Sequence, residues 1–239
     1  MRGDYMIGLI SKLSKISRRR KLKLFNRIMM PTENMKILDV GAQVDPSGAD
    51  RLQFIDFYPW KNRISAINLA PEYISLINQF YPEIDAVIGD ACEMPWPDKY
   101  FDVVFSNAVI EHLGSFEKQR KMAAEITRVG KCWFVSTPNR WFPFEFHMRL
   151  PFVTWLPGNA YLWIGRIFTY NPVKRRYTFG RHRTDLRLMT ARELNDCFPD
   201  SKIIKQRVTF MAETLIVIGG QISLNYRWLK SISHPQSKE

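Results

Sequence analysis

Cysteine is scarce in this chain of 239 residues, where Cys92, Cys132 and Cys197 are odd in number and widely spaced. That usage argues against a disulfide framework or a zinc module and fits a reducing cytoplasm. Long apolar runs are also missing, and none approaches the roughly 18 residues that suggest a membrane span. The N-terminal stretch has no small-residue cleavage site, and most of its charge follows its apolar part, so it does not read as a secretory signal. No segment repeats. The turn G-x-G-x-x-G is absent, which argues against a dinucleotide-dependent dehydrogenase.

What is present describes a globular protein with one substantial core: 46% hydrophobic residues, seven tryptophans and a length suited to one domain. The net charge of +12 is concentrated in two places. One is the run from Lys12 to Lys23, which includes Arg18, Arg19, Arg20 and Lys21; the other comprises Lys174, Arg175, Arg176, Arg181 and Arg183. Such clusters attract phosphates of nucleic acid, anionic lipid or a sugar-phosphate. Ile7, Leu9, Ile10, Leu13 and Ile16 stand at mostly helical spacing. Residues 1–30 are therefore expected to form a basic amphipathic helix, either lying on an anionic membrane surface or packed on the domain edge. The expected location is cytoplasmic, with possible attachment to the inner face of the membrane.

Strand and helix signals alternate from there. Met35–Gly41, Arg63–Leu69, Ala86–Gly89, Phe101–Ser106 and Cys132–Ser136 read as strands, and Pro71–Phe80 and Phe116–Val129 as helices. Thr190 with Glu193 has capping-box spacing and starts a short helix to Phe198, and Ile203–Phe210 and Glu213–Gly220 resemble a closing pair of strands. The predicted fold is α/β, Rossmann-like, a mostly parallel seven-stranded sheet with helices on both faces and an aromatic-rich insertion. The predicted boundaries are a domain over 31–225, an insertion over 139–189 with one helix near Tyr161–Phe168, and a flexible tail over 226–239.

Ligands of open α/β sheets bind beyond the carboxyl ends of the strands. Here those ends are Asp39-Val40-Gly41-Ala42-Gln43, Asn68-Leu69, Gly89-Asp90-Ala91-Cys92 and Ser106-Asn107. They suit a nucleoside bearing an amino acid. Gly41 admits close backbone approach, Asn68 can bond ribose hydroxyls, and the Asp90 carboxylate can accept from an adenine amino group. Leu69 and Cys92 can cover the ring faces, and the Ser106 carbonyl and Asn107 amide can hold an ammonium group.

Ile37-Leu38-Asp39-Val40-Gly41 resembles the first motif of class I S-adenosylmethionine-dependent methyltransferases. The run from Gly89-Asp90-Ala91-Cys92 through Pro95-Trp96-Pro97-Asp98 to Phe101–Ser106 resembles their third and fourth motifs, in the form of the type 11 small-molecule group. Glu111-His112-Leu113 and Glu125–Val129 also match that group. The likeness implies S-adenosylmethionine as cofactor, with Asp39, Gly41, Ala42, Gln43, Asn68, Leu69, Asp90, Ala91, Cys92, Ser106 and Asn107 around it. Three positions depart from the pattern. Gln43 and Asp45 stand where glycines are usual, and Asn68 replaces the acidic residue that ends the second strand, removing charge-assisted strength from a ribose contact.

The implied chemistry is displacement at a sulfonium methyl, in which the enzyme chiefly aligns the reactants. A hydroxyl acceptor also needs a base, for which His112 and His147 are the candidates, with Glu111 or Glu145 to orient them. Ubiquinone-pathway O-methyltransferases have a Glu-x-x-Glu-His metal site here, but Ala108 replaces the first glutamate, and no metal is expected. Thr137–Pro143 resembles bacterial methyltransferases of cell-surface glycan and glycolipid pathways. The acceptor is accordingly expected to be a small molecule, a glycan or a lipid-linked compound, methylated at oxygen. Two other readings stay open: a cofactor-blind interaction protein, and an RNA methyltransferase. Against the latter, Ser106-Asn107-Ala108-Val109 stands where an Asn/Asp-Pro-Pro-Tyr/Phe motif would follow the fourth strand. Oligomeric state is not legible.

Overall fold

A computed structural model describes residues 2–45, 52–157, 160–167, 169–171, 176–178, 185–207 and 209–221. The expected tail over 226–239 and most of the second basic cluster lie outside the described residues.

The chain begins with α1 (Arg2–Met29), then β1 (Ile37–Val40), the single turn α2 (Phe54–Phe57), β2 (Ile64–Asn68), α3 (Pro71–Phe80), β3 (Asp85–Ile88) and β4 (Phe101–Asn107). There follow α4 (Phe116–Val129), β5 (Gly130–Pro138) and the short hairpin of β6 (Phe144–Glu145) and β7 (Leu150–Pro151). Next come α5 (Ala160–Ile167), the hairpin of β8 (Thr169–Asn171) and β9 (Arg176–Thr178), then α6 (Ala191–Cys197), β10 (Lys202–Arg207) and β11 (Ala212–Gly220). Seven strands form one sheet in the order β10-β11-β5-β4-β1-β2-β3. β1 to β5 are mutually parallel, and β10 and β11 close the far edge antiparallel. The expected seven-stranded α/β sheet is the architecture observed.

Alternation along the strands sends successive side chains to opposite faces. Ile37, Val103, Phe105, Ile216 and Ile218 point to one face, where α1, α2 and α3 cover them. Leu38, Val40, Val104, Leu215 and Val217 point to the other, under α4 and α6. Local chemistry sets the helix ends. Pro71 occupies the first turn of α3. Ser115 caps α4 by accepting from the Lys118 amide, and Thr190 with Glu193 forms the expected capping box of α6.

The second half of α1 belongs to the core. Leu22, Phe25, Ile28 and Met29 are buried, and Phe25 meets Phe54, Phe105 and Phe134 edge-to-face at 5.1–5.6 Å between ring centres. A buried polar cluster pins the helix to the sheet edge: Gln206 Nε2 donates to Ser17 Oγ at 2.9 Å, and Ser17 Oγ donates to Glu213 Oε1 at 3.3 Å. Of the two readings of the basic N-terminal helix, packing on the domain describes its second half. The strand order reverses between β1 and β4: β1-β2-β3 run out to one edge and β4-β5 toward the other. That divergence opens a crevice at the carboxyl ends.

Candidate active site

Three recesses share that crevice. The first and smallest is lined by Arg18, Lys21, Asp39, Gly41, Gln43 and Asn107. The second is a chamber of about 260 Å³, walled by Leu13, Pro138, Phe142, Phe144, Phe146 and His147, with Arg18, Lys21, Asn107 and Ala108 at its inner end. The third is a cleft of about 390 Å³ along Gly41, Gln43, Asn68, Leu69, Asp90 and His112, with Ala108 at its margin. Gly41 and Gln43 join the first recess to the third, Arg18, Lys21 and Asn107 join it to the second, and Ala108 joins the second to the third. The three meet at the ends of β1 and β4.

Gly41 adopts φ +80°, and a Cβ there would lie 2.3 Å from Val109 Cγ2, so both conformation and space call for glycine. Ala108 takes a left-handed φ of +57° immediately after β4, and the segment it starts keeps Val109, His112 and Leu113 along the third cleft. Asn107 at the junction accepts through Oδ1 from Lys21 Nζ at 2.5 Å and from Ser136 Oγ at 2.8 Å.

The first recess holds two perturbed charges. Burial and the neighbouring Arg18 push the Lys21 ammonium down to about 8, and burial pushes the Asp39 carboxyl up to about 8. In the third cleft, Asp90 Oδ1 accepts from the Cys92 amide at 2.8 Å, which fixes the carboxylate at the end of β3. Leu69 is 71% exposed, an apolar wall with little covering it. Asn68 bonds backward: its Nδ2 donates to the Ala42 carbonyl at 2.8 Å and its Oδ1 accepts from the Ala70 amide at 2.9 Å. The amide therefore ties the glycine turn to the start of α3 while bordering the cleft.

His112 and His147 stand edge-to-face, 4.9 Å between ring centres, one bordering the third cleft and the other the second. The buried Glu145 carboxylate contacts His147 Nδ1 at 2.7 Å. Glu111 is fully buried; its Oε2 accepts from Thr137 Oγ1 at 2.9 Å, its Oε1 has no hydrogen-bond partner among the described residues, and burial raises its carboxyl. One donor atom from each of Glu111, His112 and His147 lies within 4.8 Å of the others.

Most predicted site residues converge here: Asp39, Gly41, Ala42, Gln43, Asn68, Leu69, Asp90, Ala91, Asn107, His112 and His147 line one recess or another. Two do not. Ser106 is fully buried and donates from its hydroxyl to the Val40 carbonyl at 3.3 Å, lacing β4 to β1. The Cys92 thiol turns to the Lys118 carbonyl at 3.5 Å, and burial beside Asp90 pushes it up to about 11. The role expected at Ser106 belongs to its carbonyl; alternation sends its hydroxyl into the sheet interior, and the turn after Asp90 folds the Cys92 thiol onto α4. Sequence reasoning missed Arg18 and Lys21. Their charge was legible, but their arrival over the sheet depends on where α1 packs.

Residues 44–132 match a family model described as a methyltransferase domain. A curated protein of Mycolicibacterium smegmatis, described as a probable S-adenosylmethionine-dependent methyltransferase, is 27% identical over 122 residues. The match covers 51% of this chain and 45% of that protein, so the chain spans under half the length of the curated relative it matches. Among solved structures, the PH0226 protein of Pyrococcus horikoshii superposes with TM-score 0.55 at 13% identity, over 84% of this chain and 88% of that one. The 1,6-didemethyltoxoflavin-N1-methyltransferase of Burkholderia thailandensis, with bound 1,6-didemethyltoxoflavin and S-adenosylhomocysteine, superposes with TM-score 0.50 at 15% identity, over 90% and 82%.

Proposed function

We propose, from the premise that this chain carries a class I methyltransferase domain, that it transfers a methyl group from S-adenosylmethionine to an oxygen of a small or lipid-linked acceptor. The observation that carries this reading is the convergence of the three recesses on Gly41, Asn107 and Ala108, with two histidines at the partition.

The residues fit the cofactor part by part. In the third cleft, Asp90 accepts from the adenine amino group, Leu69 lies against the ring, and Asn68 offers the ribose what its backbone bonds leave over. In the first recess, Arg18 and Lys21 would hold the carboxylate, with Asn107 Oδ1 steadying Lys21, and Asp39 would accept from the ammonium. A zwitterion thus meets side chains of opposite polarity in a poorly solvated recess, where such pairing is strong. When bound, S-adenosylmethionine supplies an electrophilic methyl on sulfur.

The second recess receives the acceptor. Phe142 stacks on Phe146 at 5.6 Å and 5° between planes, giving a flat apolar wall suited to a ring or hydrocarbon. A hydroxyl attacking the methyl must shed its proton. His147 is placed to take it, because an Nδ1–H donated to Glu145 leaves the lone pair on Nε2. His112, in edge contact, borders the cofactor side. The chamber lies between α1 and the insertion and is walled on the insertion side by aromatic rings, which favours a compact acceptor over RNA.

The deciding experiment is calorimetric titration with S-adenosylmethionine and S-adenosylhomocysteine. Micromolar binding is expected, lost in Asp90→Ala while the circular dichroism spectrum stays native. A folded wild-type protein that binds neither ligand would establish a cofactor-blind scaffold instead.

A further inference from the structure

The insertion carries an apolar surface that the site leaves unused. Helix α5 buries Tyr161, whose hydroxyl donates to the Leu186 carbonyl at 3.0 Å, and so anchors its inner side to the domain. Trp163, Ile164 and Ile167 then fall on the outer side, with Trp163 64% and Ile167 59% exposed. Trp141, Phe152 and Trp155 are also exposed: Trp155 Nε1 donates to the Trp141 carbonyl at 3.1 Å, and Phe152 meets Trp155 at 5.0 Å. Phe152 is held at φ +56°, a costly conformation for a bulky residue, and shows its ring to water there. An exposed group of this size and aromatic content marks a contact surface.

We propose that this outer face of the insertion docks on an anionic lipid bilayer. Charge points to the partner. Between Phe146 and Thr184 the chain has seven Lys or Arg residues and no Asp or Glu. Tryptophan favours the headgroup boundary, and a short amphipathic helix lying in the plane of the interface buries its apolar side among acyl chains. Basic residues close to it in the sequence add attraction to acidic headgroups. Ile164 and Ile167 suit hydrocarbon and offer nothing to a stacked base, which favours lipid over nucleic acid. Among the described residues no helix is long and apolar enough to cross a membrane, so the contact is interfacial. α1 is a poorer candidate over its second half, because Leu22, Phe25, Ile28 and Met29 are buried in the core. Phe142, Phe144 and Phe146 of the same insertion wall the second recess, so docking would set that chamber beside the bilayer. The inference does not depend on the cofactor reading.

The test is flotation of the full chain with vesicles of phosphatidylcholine alone and of phosphatidylcholine mixed with phosphatidylglycerol. Wild type is expected to prefer the mixed vesicles about tenfold or more, with a preference that fades as salt rises. Trp163→Ser with Ile167→Ser, both at exposed positions, should weaken vesicle binding about tenfold or more while leaving the melting temperature and S-adenosylhomocysteine binding unchanged. Failure of wild type to float with anionic vesicles, or equal flotation of the double variant, would overturn the proposal. So would self-association or RNA binding that the double variant abolishes, since either would assign the face to another partner.

Discussion

Lys21 is the residue whose role depends most on its surroundings. Free lysine keeps its proton to about 10.5, but here burial and Arg18 push it down to about 8. Between those values the unfolded chain holds a proton that the native state lacks, so the lysine's contribution to stability rises with pH across that window. A bound carboxylate would favour the charged form. Affinity for S-adenosylhomocysteine is therefore expected to fall as pH rises past about 8, whereas 5′-methylthioadenosine, without the carboxylate, should show no such fall. Lys21→Met should weaken S-adenosylhomocysteine about 10- to 100-fold, the loss of a charge-assisted contact, and leave methylthioadenosine nearly unchanged. Equal weakening of both ligands would remove Lys21 from the carboxylate site. Asp39 has the opposite sign: its folded carboxyl, raised to about 8, makes its contribution fall as pH climbs from about 3.8 to about 8.

His147 is open to a different test at the same scale. Removing a general base lowers turnover by about 10²- to 10⁴-fold, so His147→Ala should reduce kcat with little change in cofactor binding, and Glu145→Gln should do so in part. Because Glu111, His112 and His147 also form a set of metal-ligand types, dialysis against a chelator separates the two roles. Unchanged activity supports proton transfer. Loss restored by a divalent ion would reassign the cluster.

At the scale of elements, the loop bearing Asp90 depends on α4. Arg128 pairs with Glu125 at 2.7 Å and with Asp98 at 3.1 Å, and donates to the Met94 and Trp96 carbonyls, while Glu125 accepts from the Met94 amide. One arginine thus fastens the loop between β3 and β4 to the helix behind it. Arg128→Ala is expected to cost about 2 kcal/mol of stability in urea unfolding and to weaken cofactor binding through the freed loop. An unchanged denaturation midpoint would show the loop to be held by its apolar contacts alone. The elements themselves were legible because each carried its own local code: a short apolar run in β4, proline at the start of α3, the Thr190–Glu193 box of α6. The insertion was legible only as one helix among aromatics. Its hairpins answer to contacts such as Phe152 N–H to the Pro143 carbonyl, at 2.6 Å, which no local spacing announces.

Across the whole molecule, α1 closes one face of the sheet and one side of the candidate active site at once. Phe25 has no exposed surface and touches three other rings, so Phe25→Ala should destabilise the fold by about 3–5 kcal/mol, read as a lower midpoint in denaturant. A loss under about 1 kcal/mol would mean that α1 is not integral to the core. Such a result would also undermine the site, because Arg18 and Lys21 reach it on the same helix.

By itself the sequence determined the strand order's raw material and the crevice's floor: Gly41, Asn68, Asp90 and Asn107 stand at or just past strand ends, and strand ends are written in short-range apolar patterns. Only the tertiary structure decided the roof. Lys21 over Asn107, and His147 beside His112, are separated by 86 and 35 positions, and contacts at that range arise from burying apolar faces, which leaves no trace in local spacing. The same burial decided which predicted residues turned away. Ser106 and Cys92 have the polarity of site residues, but the sheet and α4 took their side chains inward, because packing and backbone direction outrank side-chain chemistry in setting where a residue points.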